Sequence, residues 1–180
     1  MISIKKIVLP TCIVFISSFT FCFSGELDSV ETVNIDINKY MGKWYEIARF
    51  PHRFEKNLSC VTATYTLNDD GTVTVLNEGF NIVKNKKSSI TGKANILDKT
   101  KPGRLNVSFF FFIGSDYLVL EADKNDYSYA LVSGGNRNYL WILARKPVLP
   151  IITYNKLVQK AESLGFDITK LEMVDHNCDK

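Results

Sequence analysis

Cysteine and histidine are the residue types in this chain best suited to chemistry, and both are rare. The 180 residues contain four cysteines and two histidines. His52 and His176 lie in unrelated segments without zinc-type spacing, so the sequence predicts no metal site. Neither a Gly-x-Ser-x-Gly elbow nor a glycine-rich phosphate loop occurs. These patterns favour a protein that is not an enzyme and needs no cofactor.

The first 24 residues have the pattern of an export signal. Lys5 and Lys6 precede an almost wholly apolar run over residues 7–23, and the small residues Ser24 and Gly25 come next. We expect residues 1–24 to be a signal peptide, which leaves residues 25–180 as a single domain. The protein would then be periplasmic or at the outer membrane in a bacterium, and otherwise secreted. A retained membrane anchor is the alternative, although the run is short for a membrane span.

Removal of the signal would leave two cysteines, Cys60 and Cys178. Two cysteines in an exported protein most simply form one disulfide. A free Cys60 thiol that acts as a nucleophile is the alternative. Lipidation of Cys22 is disfavoured, because the bulky Phe21 stands where a lipobox has a small residue.

Charge gives no sign of a nucleic-acid partner. The formal net charge is +3, and the lysines are scattered along the chain. No basic helix or RNA-binding signature is present, so we expect no nucleic-acid binding.

Most of the chain after residue 40 alternates between apolar and polar residues with a period of two. The clearest case is Val61, Ala63 and Tyr65, which alternate with threonines and indicate a half-buried strand. Asp70-Gly71 then predicts a hairpin turn. The predicted strands span about residues 43–49, 61–67, 72–78, 90–96, 105–111, 117–122, 127–133 and 138–144.

A different period follows the last strand. Apolar residues recur at helical spacing from Ile151 to Gly165, a residue that suits a helix C-terminus. We therefore predict an all-β fold, an eight-stranded antiparallel up-and-down β-barrel with one C-terminal α-helix packed outside. Eight antiparallel strands close into a barrel just wide enough for one small ligand. An eight-stranded sandwich is the alternative.

Two motifs at opposite ends of the chain favour closure. The segment Gly42-Lys43-Trp44-Tyr45-Glu46 opens the first strand, and Trp141-Ile142-Leu143-Ala144-Arg145 ends the last. If Arg145 covers the face of Trp44, these two strands are neighbours and the sheet is closed. An ordinary core position for Trp44 is the alternative.

Both motifs resemble those of the lipocalin family, and the resemblance covers about residues 34–178. It implies a barrel that binds small lipids such as fatty acids or lysophospholipids, with Gly42, Trp44 and Arg145 in structural roles. The segments 49–55 and 138–143 are similar to the bacterial outer-membrane branch of the family. The pair Cys60 and Cys178 resembles a disulfide of an animal branch.

The resemblance and the strand pattern together assign candidate site residues. The expected ligand-binding residues are on the inward faces, although simple packing is the alternative for each: Val61, Ala63, Tyr65, Val73, Val75, Ile90, Ala94, Leu105, Val107 and Phe109. Small residues at positions 63, 92 and 94 are expected to leave room for a ligand. The expected mouth residues are Phe54, Phe80, Lys84 and Phe112.

The mouth combines apolar and cationic residues, so it is expected to contact a membrane or a lipid tail and to hold an anionic head group. An ordinary solvated surface is the alternative.

Two competing functions remain for the whole protein. One is a lipocalin-type enzyme that uses Cys60, and the other is a structural envelope protein whose cavity is filled by its own side chains.

Overall fold

The structure is a computed structural model that describes residues 30–109 and 114–178. The predicted signal peptide therefore lies outside the described residues. The strands are β1 (Gly42–Arg49), β2 (Leu58–Leu67), β3 (Val73–Asn81), β4 (Lys86–Ile96), β5 (Arg104–Phe109), β6 (Ser115–Ala122), β7 (Tyr129–Ser133), β8 (Leu140–Ala144) and β9 (Glu172–Met173). The helices are α1 (Ile37–Tyr40) and α2 (Ile151–Ser163), with a 3₁₀ turn at Ile168–Lys170.

Strands β1 to β8 form the predicted closed antiparallel barrel. Each strand from β2 to β7 pairs with its successor, and β1 pairs with both β8 and β2. The pairing of β1 with β2 places Trp44 opposite Ala63. The pairing of β1 with β8, on the other edge of β1, places Arg49 opposite Trp141. The short strand β9 adds to the end of β1 at Ala48 and Arg49. The barrel prediction is therefore confirmed.

Two apolar clusters lie on opposite sides of the barrel wall. The inner core fills the barrel and includes Trp44, Val73 and Leu105. The outer core lies between the wall and α2, whose Leu157 and Ala161 are completely buried. This arrangement confirms the predicted helix outside the barrel, and it explains why β6, β7 and β8 are apolar on both faces.

Helix α2 ends as its sequence predicts. Gly165 adopts a φ of +81°, and its N–H donates to the carbonyl of Glu162. The N–H of Phe166 reaches the carbonyl of Ala161, which completes a Schellman motif. Phe166 is 3% exposed and packs in the outer core, so the turn also anchors the chain after the helix.

A β-bulge in β1 determines which side chains reach the barrel interior. The pairing of β1 with β8 shifts register between Glu46 and Ala48. Because of this shift, Ile47 and Ala48 both join the outer core. Arg49 then returns to the same side as Glu46, to which it is hydrogen-bonded. The bulge thus places Arg49 inside the wall beside Glu46, which already faces inward.

The hairpin between β3 and β4 is tighter than the sequence pattern suggests. The predicted strands 72–78 and 90–96 leave a long connection between them, but β3 extends to Asn81 and β4 begins at Lys86. The pairs continue through Phe80 and Lys87. Backbone pairing in a hairpin does not require apolar alternation, so the exposed lysines did not reveal these strand ends.

Candidate ligand-binding site

Trp44 and Arg145 meet at one end of the barrel. Trp44 is completely buried, and the Arg145 guanidinium lies 3.8 Å from the centre of its indole ring. The Trp44 Nε1–H donates to the carbonyl of Tyr40 at 2.9 Å. This contact is a cation–π interaction, and among aromatic side chains Trp is the best partner for a cation.

Arg145 also ties the preceding segment to the barrel. Its guanidinium donates hydrogen bonds to backbone carbonyls of Lys39, Tyr40, Met41, Lys43 and Tyr127. Gly42 enters β1 with a φ of +94°, a conformation that favours glycine. These contacts make Gly42, Trp44 and Arg145 a structural closure of this end of the barrel, and the opposite end is the mouth.

A narrow apolar space lies between this closure and the mouth. Its free volume is about 10 Å³, which is close to the least that one water molecule needs. Its lining is formed by Tyr40, Met41, Tyr65, Val73, Val75, Ala94, Leu105, Val107 and Tyr117. Pockets for drug-sized ligands are usually about 300–1,000 Å³. The side chains of the inner core therefore almost fill the interior in this structure, and a ligand would have to displace some of them.

The structure brings six of the ten expected interior residues together around this space: Tyr65, Val73, Val75, Ala94, Leu105 and Val107. Ala63 and Phe109 pack against the inner core from nearby. Val61 is 3% exposed and lies beside Gly79. Ile90 is only half-buried and pairs with Asn77.

Gly92 does not leave the free space that we expected. A Cβ atom placed on Gly92 would lie 2.6 Å from Cδ1 of Phe109. The Phe109 ring therefore already occupies the position that a larger side chain would fill. Its proximity to Gly92 is a cross-strand contact, since the two residues are directly paired.

Three buried phenols form the polar part of the lining. The Tyr117 hydroxyl lies 2.8 Å from that of Tyr40 and 3.0 Å from that of Tyr65. Burial raises the pKa of all three phenols, so they remain protonated at neutral pH. Tyr40 and Tyr117 were missed among the candidate residues. Tyr117 could have been found, because it shares a face with Val119 on a predicted strand.

Exposed apolar residues and cations occupy the mouth. Phe54 is 68% exposed, and Ile82 and Val83 in the β3–β4 turn are 62% and 71% exposed. Lys84 is exposed in the same turn. Phe80 does not join them, because it lies within β3 on the face opposite to Val73 and Val75. The expected mouth residue Phe112 lies outside the described residues.

A cluster of charged side chains lies inside the wall just below the mouth. Arg49 Nη1 donates to Oε1 of Glu46 at 2.8 Å, and its Nη2 donates to the carbonyls of Glu55 and Leu58. His52 Nε2 lies 2.9 Å from Oε2 of Glu55. Arg49 thus fastens the loop between β1 and β2 across the mouth.

The two carboxyl groups of this cluster have opposite pKa shifts. Burial, together with the neighbouring Glu55 charge, raises the pKa of Glu46 well above its usual range. Burial also acts to raise the pKa of Glu55, but the proximity of His52 and Arg49 outweighs it, and that pKa is lowered. The sequence analysis missed this cluster, although Glu46 is two residues from Trp44 and so shares its inward face.

Cys60 and Cys178 are bonded to each other as a disulfide, which agrees with the sequence prediction. Cys60 follows the first residues of β2 at a register shift and has a φ of +56°. Its thiol is not free in this state, so the structure gives no support to a nucleophilic Cys60. Within residues 30–109 and 114–178, no three histidine, cysteine or carboxylate side chains are grouped as metal ligands.

Neither helix in the described part of the chain is long and apolar enough to cross a membrane.

The family model described as "Lipocalin-like domain" matches residues 35–176. The outer membrane lipoprotein Blc of Vibrio cholerae is 41% identical over 148 residues, covering 82% of this chain and 86% of the relative. Bovine (Bos taurus) apolipoprotein D is 36% identical over 152 residues, covering 81% and 79%. Insecticyanin of the tobacco hornworm Manduca sexta has a similar structure, with a TM-score of 0.66, 24% identity and coverage of 81% and 84%. The chain therefore belongs to the lipocalin family.

Proposed function

We propose that this lipocalin binds a single-chain lipid, such as a fatty acid or a lysophospholipid, in the barrel interior, and that it is not an enzyme. The observation that carries the proposal is the apolar lining of the barrel interior, which is closed at one end by Trp44 and Arg145; an acyl chain would enter by displacing lining side chains. Each methylene of an acyl chain gains about 0.8 kcal/mol on leaving water. Lipocalins as a family bind small hydrophobic molecules, which supports this assignment.

The test measures the binding of palmitic acid and of a C16 lysophospholipid to the mature protein. The readout is displacement of a fluorescent lipid. Ala94 is 1% exposed and faces the space between Val73 and Val107. The variant Ala94→Phe should fill the space and weaken binding at least tenfold. Thr91→Phe is the matched control, since Thr91 is exposed on the same strand. Absence of binding by the unmodified protein, or full binding by Ala94→Phe, would contradict the proposal.

We also propose that the mouth contacts an anionic lipid surface. Phe54, Ile82 and Val83 supply exposed apolar side chains, and Lys84, Lys86 and Lys87 are exposed beside them. Apolar side chains with adjacent cations are suited to the interface of a bilayer that contains anionic lipids.

Sedimentation with vesicles of phosphatidylglycerol and phosphatidylcholine tests this contact. Changing Lys84, Lys86 and Lys87 together to Glu should abolish co-sedimentation and leave binding in the interior intact. The matched control changes Lys99, Lys101 and Lys124 to Glu, because these exposed lysines lie at the closed end. Equal loss in both triple variants would indicate a general charge effect and refute a specific role of the mouth.

The cellular location follows from the N-terminal pattern and from the relatives. We propose that residues 1–24 direct export and are then removed, and that residues 25–180 are the mature domain. The relative from Vibrio cholerae is described as an outer membrane lipoprotein, which supports a place at the cell envelope. N-terminal sequencing of the protein purified from its own host checks the cleavage site and any lipid on Cys22.

A further inference from the structure

The three phenols of the lining carry one more proton than their mutual hydrogen bonds use. Tyr40, Tyr117 and Tyr65 each have one O–H, and two oxygen–oxygen contacts join them. Each contact uses one proton, so one O–H is left over. No other acceptor for it is found among residues 30–109 and 114–178. A buried donor without an acceptor costs about 1–3 kcal/mol. The unused O–H therefore favours a ligand that supplies a hydrogen-bond acceptor.

A buried acceptor with no donor lies close by on the same wall. Asn77 Oδ1 is buried and has no hydrogen-bond partner within the described part of the chain. Asn77 pairs with Ala63, and Tyr65 pairs with Val75, in neighbouring positions of the β2–β3 ladder. Both side chains are on the inward face, since alternate residues of a strand point the same way. The interior therefore presents an unused donor and an unused acceptor on adjacent positions of one strand pair.

We propose that Tyr65 and Asn77 form a subsite for a hydroxyl group carried by the lipid chain, so that this lipocalin prefers hydroxylated acyl chains to plain ones. A hydroxyl oxygen accepts a proton from the phenols and donates its own to Asn77 Oδ1. The inference rests on the proposed function, because it specifies which lipid occupies the same space.

Other ligand groups satisfy the pair less well. A methylene leaves both the phenol donor and the amide acceptor unpaired. A carboxylate, ester or ketone oxygen accepts only, and so it leaves Asn77 Oδ1 without a donor. Sites built to hydrogen-bond a hydroxyl discriminate strongly against analogues without one, because the polar groups are then buried unpaired.

The direction of the hydrogen bonds between the three phenols determines a matched pair of variants. For Tyr65 to donate to the ligand, Tyr40 must donate to Tyr117 and Tyr117 to Tyr65. Tyr65→Phe removes the phenol donor on the β2–β3 ladder, where Asn77 lies two residues further along. Tyr40→Phe removes one phenol and one hydrogen bond from the same cluster, but it leaves Tyr117 donating to Tyr65 and Tyr65 donating to the ligand. Each variant therefore loses one phenol–phenol hydrogen bond, and only Tyr65→Phe also loses the donor to the ligand.

The experiment measures the affinity of the mature, disulfide-bonded protein for palmitic acid and for its 2-, 10- and 16-hydroxy derivatives. We expect at least one hydroxy isomer to bind roughly tenfold more tightly than palmitic acid, as expected for about one net hydrogen bond at the upper end of its range. Failure of every fatty acid to bind would overturn the proposed function. Binding of palmitic acid without preference for any isomer would overturn the hydroxyl subsite alone.

The variants then locate the preference. Tyr65→Phe and Asn77→Leu should each remove the tenfold ratio between the hydroxy isomer and palmitic acid, whatever their absolute affinities. Tyr40→Phe should retain this ratio. Far-UV circular dichroism and the Tm show whether each variant is folded. A preference that survives both Tyr65→Phe and Asn77→Leu, or that disappears equally in Tyr40→Phe, would refute the assignment.

Discussion

Arg145 acts through the shape of its guanidinium as well as through its charge. The group lies 3.8 Å from the centre of a Trp44 ring and at the same time donates to several backbone carbonyls, including those of Lys39 and Lys43. A lysine ammonium can supply the charge, but it can supply neither the planar contact nor this fan of donors. The closure of the barrel therefore depends on arginine specifically.

We expect Arg145→Lys to lower the free energy of unfolding by about 2–4 kcal/mol, because five backbone carbonyls lose their donor, three of them in partly buried hydrogen bonds, and the cation over Trp44 is displaced. Urea denaturation, monitored by Trp fluorescence, measures the free energy of unfolding. Arg53→Lys is the control, since Arg53 lies over the ring of Phe54, which is 68% exposed. That change should cost less than about 0.5 kcal/mol. Equal losses in the two variants would show that the closure does not require arginine.

The opposite pKa shifts of Glu46 and Glu55 predict opposite pH dependences. The pKa of Glu46 is raised in the folded state, so its contribution to stability is complete below pH 4.5 and is lost as the pH rises. Glu46→Gln carries no charge to bury. We therefore expect this variant to become more stable relative to the unmodified protein as the pH rises from 4.5 to 8, by at most about 1.4 kcal/mol per pH unit.

The pKa of Glu55 is lowered, so its contribution is present above pH 4.5 and is lost as the pH falls through the folded-state value. Glu55→Gln should thus be destabilised at pH 7, and the difference from the unmodified protein should shrink on acidification. Thermal unfolding of both variants between pH 3 and pH 8 provides the measurement. Parallel curves for the two variants would mean that the carboxyl groups are not distinguished by their surroundings.

At the scale of elements, α2 stabilises the barrel from outside and does not reach the ligand space. Leu157 and Ala161 pack in the outer core, whereas the lining residues belong to the inner core. The barrel wall separates the two clusters. Stability and ligand affinity should therefore respond separately to changes in this helix.

Leu157→Ala should lower the free energy of unfolding by about 2–5 kcal/mol, since it leaves a cavity at a completely buried site. Palmitic-acid affinity should stay within about twofold at a temperature where the variant is folded. Ile152→Ala on the same helix is the control, because Ile152 is 82% exposed, and it should change stability by less than about 0.5 kcal/mol. A parallel loss of affinity in Leu157→Ala would show that the two cores are coupled.

The sequence predicted those elements whose hydrophobic period is regular. The alternation around Val61 and Tyr65, the Asp70-Gly71 turn and the end of α2 at Gly165 all depend on local patterns. The bulge in β1 was not predictable in the same way, because it depends on how β1 pairs with β8. The buried position of Arg49 follows from that bulge, so the charged cluster was missed along with it.

The candidate site was predictable in its apolar part and not in its polar part. Val73, Val75 and Leu105 follow from strand alternation, and they line the space. The contacts of Tyr117 with Tyr40 and Tyr65 join residues 77 and 52 positions apart. Contacts of this kind depend on the register of the closed sheet, which a single sequence does not determine.

At the scale of the whole molecule, the C-terminal segment returns to the strand where the barrel begins. The N–H of Val174 donates to the carbonyl of Ile47, and the N–H of Cys60 donates to that of Asp175. The His176 ring also lies 2.9 Å from the carbonyl of Glu46. The disulfide from Cys60 to Cys178 then fixes this segment over a sequence separation of 118 residues.

Removal of this bridge should destabilise the protein without altering the ligand site. A loop of this length restricts the unfolded chain by about 4–5 kcal/mol in the chain-entropy model, which is an upper value. We expect the double variant Cys60→Ala, Cys178→Ala to unfold at a Tm lower by roughly 8–20 °C, since each kcal/mol shifts the Tm of a domain of this size by about 2–4 °C. Differential scanning calorimetry gives the Tm, and lipid displacement at 20 °C should show unchanged affinity.

Reduction of the unmodified protein provides the control for the side-chain changes themselves. Dithiothreitol should lower its Tm to the value of the double variant and leave the double variant unaffected. A Tm that drops only in the variant would assign the effect to lost packing around Cys60 and not to the bridge. An unchanged Tm in both cases would mean that the hydrogen bonds from Val174 and Cys60 suffice to hold the C-terminal segment against β1.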